Sequence, residues 1–228
     1  MAAFYDLSAE VIRGIYDRRI DAPAVLDLDS YFPDGRKFAS AWREIRQEAI
    51  QVAATRLGDV PRFHEIMREQ TAISANDGLD WRMLILKAYG IENPPNMAAC
   101  PVLASIVGSC PDVLSASISF LAPGKHVPAH RGPFRGVLRF YLALSMPKGP
   151  DGQPGAVLKV AGREYRLDDG EFMLWDDTYT HEAWNKTERV RMVLLLDVRR
   201  RGMPLDMEIF SRALMMIVQA GIRIRGFS

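Results

Sequence analysis

Residues 136–145 read GVLRFYLALS and residues 189–198 read RVRMVLLLDV, two apolar runs that each carry an arginine within them. Successive side chains of a strand point to opposite faces, so each run divides into two sets. In the first, Leu138, Phe140, Leu142 and Leu144 oppose Val137, Arg139, Tyr141 and Ala143. In the second, Val190, Met192, Leu194, Leu196 and Val198 oppose Arg191, Val193, Leu195 and Asp197. A third run, VLSASISFL at 113–121, sets Ala116, Ile118 and Phe120 against Ser115, Ser117 and Ser119. A sheet with its mixed face in water has this pattern, and so does a sheet covered on both sides. The company of Val137, Val193 and Leu195 favours burial of Arg139 and Arg191. A buried guanidinium requires an anion, and Asp197 is the one carboxylate on these faces for two arginines. An anionic ligand inside a closed β structure would supply the other, bound through the two-point fork of arginine.

Further short runs follow at AVLKV (156–160), EYRL (164–167) and EFMLWD (171–176), separated by PKGPDGQPG, AGR and DDG. This spacing of short strands and turn residues predicts a sandwich or barrel. Ahead of it, residues 1–112 read mainly helical. SAEVIRGIYDRR (8–19) has Ser8 in N-cap position, residues 34–57 keep Phe38, Trp42, Ile45, Ala49, Val52 and Ala53 on one side, and CPVLASIVGS spans 100–109. After Pro204, residues 205–224 predict one helix with a Met-rich apolar stripe, either docked on the sheet or meeting a membrane surface or partner. The chain thus reads as a single domain, mainly β with flanking helices: a helical part at 1–112, a β core at 113–200 and a helix at 205–224.

Among 228 residues the formal net charge is +1, which makes no case for nucleic acid as a partner. The one basic cluster, VRRRG at 198–202, reads as a solvated turn. Cys100 and Cys110, with no secretory segment at the start, read as reduced thiols of a cytoplasmic protein. No apolar run approaches the ~18 residues of a transmembrane segment.

The chain has four histidines. His126 and His130 have helical metal-ligand spacing, but Pro128 between them and Gly124 ahead predict an extended segment. His181 sits in WDDTYTHEAW and reads as a loop residue before Trp184. His130 and His181, each near a strand end, are candidates to converge on a metal. Non-haem Fe(II) is held by two histidines and one carboxylate. The usual carboxylate position, two residues after the first histidine, is here Gly132.

Two blocks, SISFLAPGKHVPAHRGPFRGVLRFYLAL and LDDGEFMLWDDTYTHEAWNKTERVRMVLLLDV, resemble the aspartyl/asparaginyl β-hydroxylase family of Fe(II)- and 2-oxoglutarate-dependent dioxygenases. The resemblance covers roughly residues 60–200 and is closest to the bacterial branch, where the catalytic domain stands alone. It implies a double-stranded β-helix, the cupin-like jelly roll, in which His130 and His181 are the only protein ligands of the metal. Asp177 then matches an aspartate that holds an iron-bound water. Arg191 and Ser119 match the pair that anchors the distal carboxylate of 2-oxoglutarate, and Arg139 a residue near the chelating carboxylate. Tyr141 stands where the family has a cosubstrate-contacting histidine. The implied reaction consumes 2-oxoglutarate and O2 and hydroxylates an unactivated C–H bond of an Asp/Asn-type side chain in a peptide, protein or amino acid. Alternatives are the acyl chain of a bacterial envelope lipid and a jelly-roll binding protein without turnover. Trp81, His126, Arg131, Arg135 and Trp184 are candidates for the substrate side; Arg131 and Arg135 would suit an acidic substrate, and core packing is the other reading of both tryptophans.

Overall fold

The computed structural model describes residues 2–225, with side chains from 8 to 224. Helices α1 (Ala2–Asp17), α2 (Leu28–Tyr31), α3 (Gly35–Ser40), α4 (Trp42–Arg56), α5 (Phe63–Ile66), α6 (Thr71–Ser74), α7 (Pro94–Ala99) and α8 (Pro101–Gly108) fill the first half, and α9 (Leu205–Arg225) ends the described chain. The strands are β1 (Val25–Leu26), β2 (Trp81–Ala88), β3 (Ile91–Glu92), β4 (Val113–Leu121), β5 (His126–His130), β6 (Val137–Ser145), β7 (Ala156–Val160), β8 (Arg163–Tyr165), β9 (Phe172–Trp175), β10 (His181–Asn185) and β11 (Arg191–Arg199).

They form two antiparallel sheets, ordered β1-β9-β6-β11-β4-β2-β3 and β5-β10-β7-β8. From β4 to β11 the strands alternate between sheets, except that β7 and β8 form a hairpin within the small sheet, which is the order of a double-stranded β-helix. The turn from β7 to β8 is Ala161–Gly162, both with positive φ (49° and 84°), as a two-residue type I′ hairpin requires.

The period-two division of β4, β6 and β11 decides what covers each face. Ala116, Ile118, Phe120, Leu138, Phe140, Leu142, Leu144, Leu194, Leu196 and Val198 join one core with Phe32, Phe38, Ile45, Ala49, Val52, Leu103 and Val107 of the helical half. The opposite face, with Tyr141, Ala143 and Val193, packs on Ala156, Leu158 and Val160 of the small sheet and on Met173 and Trp175 of β9. Both faces of the large sheet are therefore covered, and the mixed face looks into the space between the sheets.

Several expectations change. Ser8 lies inside α1 rather than capping it. The predicted helix 34–57 is broken at Ala41 (φ −96°, ψ 19°) into α3 and α4. The helical half also contributes β2 and β3 to the large sheet, because WRMLILKA is a short apolar run whose period does not distinguish strand from helix. Cys100 and Cys110 are free and buried, and burial pushes the Cys100 thiol up to about 12. No helix among the described residues is long and apolar enough to cross a membrane.

Phe140 is fully buried, with ring centroids 5.7 Å from Phe32, 6.2 Å from Phe38 and 5.9 Å from Phe172. Phe140→Ala should cost about 3–5 kcal/mol in urea unfolding, and Phe140→Leu about 1.5 kcal/mol or less. Equal losses would mean that the ring does not join sheet to helices.

Candidate active site

His130 closes β5 and His181 opens β10, so the two are direct partners across the strand pair. Their ring centroids are 4.0 Å apart. The Nδ1 of His130 is 2.7 Å from the carbonyl oxygen of Pro128, and that of His181 is 2.9 Å from that of Tyr179. A carbonyl oxygen only accepts, so the hydrogen of each neutral ring sits on Nδ1 and Nε2 keeps its lone pair. Burial lowers the pKa of both rings, and for His181, held well below the usual histidine range, the neighbouring His130 adds to the effect. Two neutral imidazoles whose Nδ1 hydrogens are held by carbonyls offer their Nε2 lone pairs as two donors to a metal.

The carboxylate missing at position 132 arrives from elsewhere. Gly132 is buried, its N–H donates to the Asp177 carbonyl at 2.7 Å, and a Cβ there would overlap the Asp177 carboxylate. Asp177 thus occupies the volume that a side chain at 132 would need. Its Oδ2 meets Arg139 Nη2 at 3.2 Å, while Oδ1 is buried without a partner. Burial pushes its pKa up to about 6 against the pull of Arg139, and Asp197 and Asp176 push the same way. Among the described residues no three His, Cys, Asp or Glu side chains gather as a metal cage.

The two arginines of the mixed face part company. Arg139 donates to Asp197 Oδ1 through Nε at 3.1 Å and Nη2 at 2.8 Å, its direct neighbour across β6–β11. Arg191, at the start of β11, is buried with Nε and Nη1 unpartnered and its guanidinium 5.8 Å from the Tyr141 ring. Ser119, fully buried, pairs with Val193 in the register beside it. Trp81 Nε1 donates to Ser119 Oγ at 3.0 Å, which leaves the hydroxyl hydrogen free to be donated. Trp175, whose ring meets His181 edge-on at 4.6 Å, has a buried Nε1 without a partner. Of the buried polar side-chain atoms left unpaired among the described residues, most belong to Trp175, Asp177 and Arg191. Such atoms are costly and mark a place for a polar ligand.

The other candidates are not brought here. Arg135 is spent on Asp176 (2.8 Å), Asp17 (2.8 Å) and the Ile20 carbonyl (3.1 Å). Arg131, exposed, reaches the Thr178 carbonyl. A bulge in β5 puts Val127 opposite Ala183 and turns His126 and Trp184 to the outer face, where they stack at 5.0 Å. His181 is a strand residue, not a loop residue. The alternation of Glu182 and Trp184 with Ala183 and Asn185 carried that signal, masked by the polar residues. Sequence reasoning missed Trp175, Asp176 and Arg200. Arg200, at the centre of the supposed solvated turn, is buried on Asp176. Nothing local in VRRRG distinguishes it from its neighbours.

The fold is that of a double-stranded β-helix, with a histidine pair across β5 and β10. Residues 39–201 match the model of the aspartyl/asparaginyl beta-hydroxylase family, and the chain belongs to that family of hydroxylases. It is 32% identical over 179 residues to an ornithine lipid ester-linked acyl 2-hydroxylase from Rhizobium tropici, covering 78% of this chain and 61% of that one. It is 25% identical over 176 residues to the human aspartyl/asparaginyl beta-hydroxylase, covering 72% of this chain and 22% of that one. The chain therefore spans less than two thirds of either relative. Among solved structures, a Pseudomonas putida prolyl-4-hydroxylase aligns with 72% of this chain and 88% of its own, at 18% identity and a TM-score of 0.44.

In metal-free protein Asp177 holds its proton more tightly than the unfolded chain does, since its pKa is raised from 3.8 to about 6. The folded state then binds the extra proton between those values, and stability falls as pH rises from about 4 to about 6. Asp177→Asn should remove a loss on the order of 2 kcal/mol across that window. Urea unfolding of both proteins at several pH values reads the difference, and parallel curves would refute the assignment.

Proposed function

We propose that the chain is an Fe(II)- and 2-oxoglutarate-dependent hydroxylase acting on the acyl chain of an envelope lipid. The observation that carries the cofactor reading is the mixed face itself. Two neutral imidazoles with free Nε2 atoms stand on the small sheet, and a buried guanidinium without an anion stands on the large one. His130 and His181 would hold Fe(II), with Asp177 beside them in the space left by Gly132. Bound Fe(II) supplies the redox chemistry that couples decarboxylation of 2-oxoglutarate by O2 to hydroxylation of a C–H bond.

The chain's own residues bind and orient. Arg191 takes the distal carboxylate of 2-oxoglutarate as a fork, and Ser119 adds the hydroxyl hydrogen left free by the Trp81 bond. Tyr141, buried beside Arg191, offers a phenol where relatives place an imidazole, and burial raises its pKa so that it stays a donor. Arg139 sets the orientation of Asp177 and balances its charge together with Asp197.

Two observations favour a lipid over an Asp/Asn side chain. The lipid hydroxylase is the more similar of the two relatives, at 32% against 25% identity. The case for an acidic substrate also weakens, because Arg135 is already paired with Asp176 and Asp17.

Reconstitution with Fe(II) under anaerobic conditions, addition of 2-oxoglutarate and O2, and measurement of succinate tests this directly. Succinate should rise with a detergent-dispersed ester-linked acyl lipid and vanish in His130→Ala. Arg191→Ala should raise the KM for 2-oxoglutarate on the order of a hundredfold, since it removes a buried charge-assisted contact. No succinate above the His130→Ala background would overturn the oxygenase reading. Turnover stimulated by acidic peptides and not by lipid would overturn the substrate reading alone.

A further inference from the structure

The two faces of α9 have different surroundings. The inner face is tied down: Met207 and Ser211 are buried, Ser211 hydrogen-bonds the Tyr16 hydroxyl at 2.6 Å, and Phe210 lies 5.7 Å from the Tyr16 ring. The outer face holds Leu205, Ile209, Met216, Ile217 and Ile224, which are 60% to 86% exposed. At about 100° per residue these positions fall within roughly 120° of arc. Single exposed aliphatic residues are ordinary on a surface, whereas a stripe along a 21-residue helix is not. Val11 and Ile15 of α1, also exposed, lie on the helix that packs against α9.

Beside this stripe is a cavity of about 370 Å³ lined by Arg199, Arg200, Arg201 and Arg212, with Met203, Met215 and Met216 as its apolar wall. Glu208 is the single carboxylate in that lining. Arg200 is paired with Asp176 and Arg212 with Glu208 at 3.8 Å, while Asp112 is shared between Arg199 and Arg201, which leaves one positive charge over; Arg223 adds another, exposed, along the helix. Gly136, just ahead of β6, lines the same cavity, and Arg13 of α1 donates to the Gly132 carbonyl at 3.2 Å.

We propose that α9 and this arginine-lined cavity dock the protein on a bilayer containing anionic phospholipid. The aliphatic stripe enters the acyl boundary while the exposed Arg199, Arg201, Arg212 and Arg223 meet the phosphates. The proposal deepens the lipid-hydroxylase reading and rests on it for the purpose of docking. The choice of a bilayer rests on shape and charge. The stripe projects as a row of protruding side chains, which a deformable apolar phase accepts and a protein partner accepts only with a matching trough. Self-association through the same face would set two positive rims against each other.

Sedimentation of the metal-free full chain with vesicles reads docking without turnover. The protein should co-sediment with phosphatidylcholine vesicles that contain phosphatidylglycerol, and be released from them by salt. Ile209→Glu with Ile217→Glu should lower the bound fraction about tenfold, and Arg212→Glu with Arg223→Glu should do so about equally. Ile217→Leu should bind as the parent does, and circular dichroism checks that each variant is folded. A parent chain that stays in the supernatant, or glutamate variants that still sediment, would overturn the proposal. So would a stripe whose substitution only converts a dimer to a monomer in light scattering. Docking without hydroxylation of any lipid would leave the surface assigned and overturn the substrate reading; hydroxylation of dispersed lipid without docking would do the reverse.

Discussion

Arg139 joins two carboxylates inside the space between the sheets: Asp197 across the strand pair at 2.8 Å and Asp177 from the segment after β9 at 3.2 Å. Most of what is distinctive in the interior depends on this sharing. One guanidinium divided between two acids does not fully balance either, so burial prevails at Asp177 and its carboxyl titrates well above the ordinary range. Arg191 lies at the other end of β11 from Asp197, and its Nε and Nη1 are buried without a partner. The charge arithmetic of three strands thus leaves a vacancy of defined sign.

The adjacent aspartates after β9 show how the fold separates support from chemistry. Asp176 is fully buried, accepts from Arg135 and Arg200, and takes both the N–H and the hydroxyl of Thr178. Arg135 reaches on to Asp17 of α1, and Arg200 also donates to the Arg135 carbonyl at 2.7 Å. This network fixes the turn that delivers Asp177 to one side and His181 to the other. Burial of two arginines on Asp176 is tolerable because each has further hydrogen-bond partners, as a desolvated ion pair demands.

Much of this arrangement was legible because it is written in period two. The range of β4 read directly from its β-rich run, as that of β7 did from a short run between turn residues, and the alternation gave the mixed face that holds Ser119, Arg139, Tyr141 and Arg191. Where the period is interrupted the reading failed. The bulge in β5 sets His126 and His130 to different sides, though an uninterrupted strand would put residues four apart on one side. Long-range pairing was equally invisible: Arg200 and Arg135 are claimed by Asp176 at separations of 24 and 41 residues, and nothing beside either arginine reports it. Exposure of the α9 stripe was also undetermined, because a helix docked by one face and a helix docked by the other have the same periodicity.

Gly132 and Asp177 form a pair whose members exclude alternatives to each other. A side chain at 132 would collide with the carboxylate of Asp177, and without Asp177 the buried Gly132 would leave a void beside two neutral histidines. The carboxylate therefore enters from the turn between β9 and β10, ahead of His181, rather than from the segment after His130. Entry from that side also brings it within reach of Arg139, which a carboxylate two residues after His130 need not meet. The glycine at 132 thus leaves room for a carboxylate that comes from another segment of the chain. That origin ties the group nearest the proposed metal to the same guanidinium that balances the large sheet.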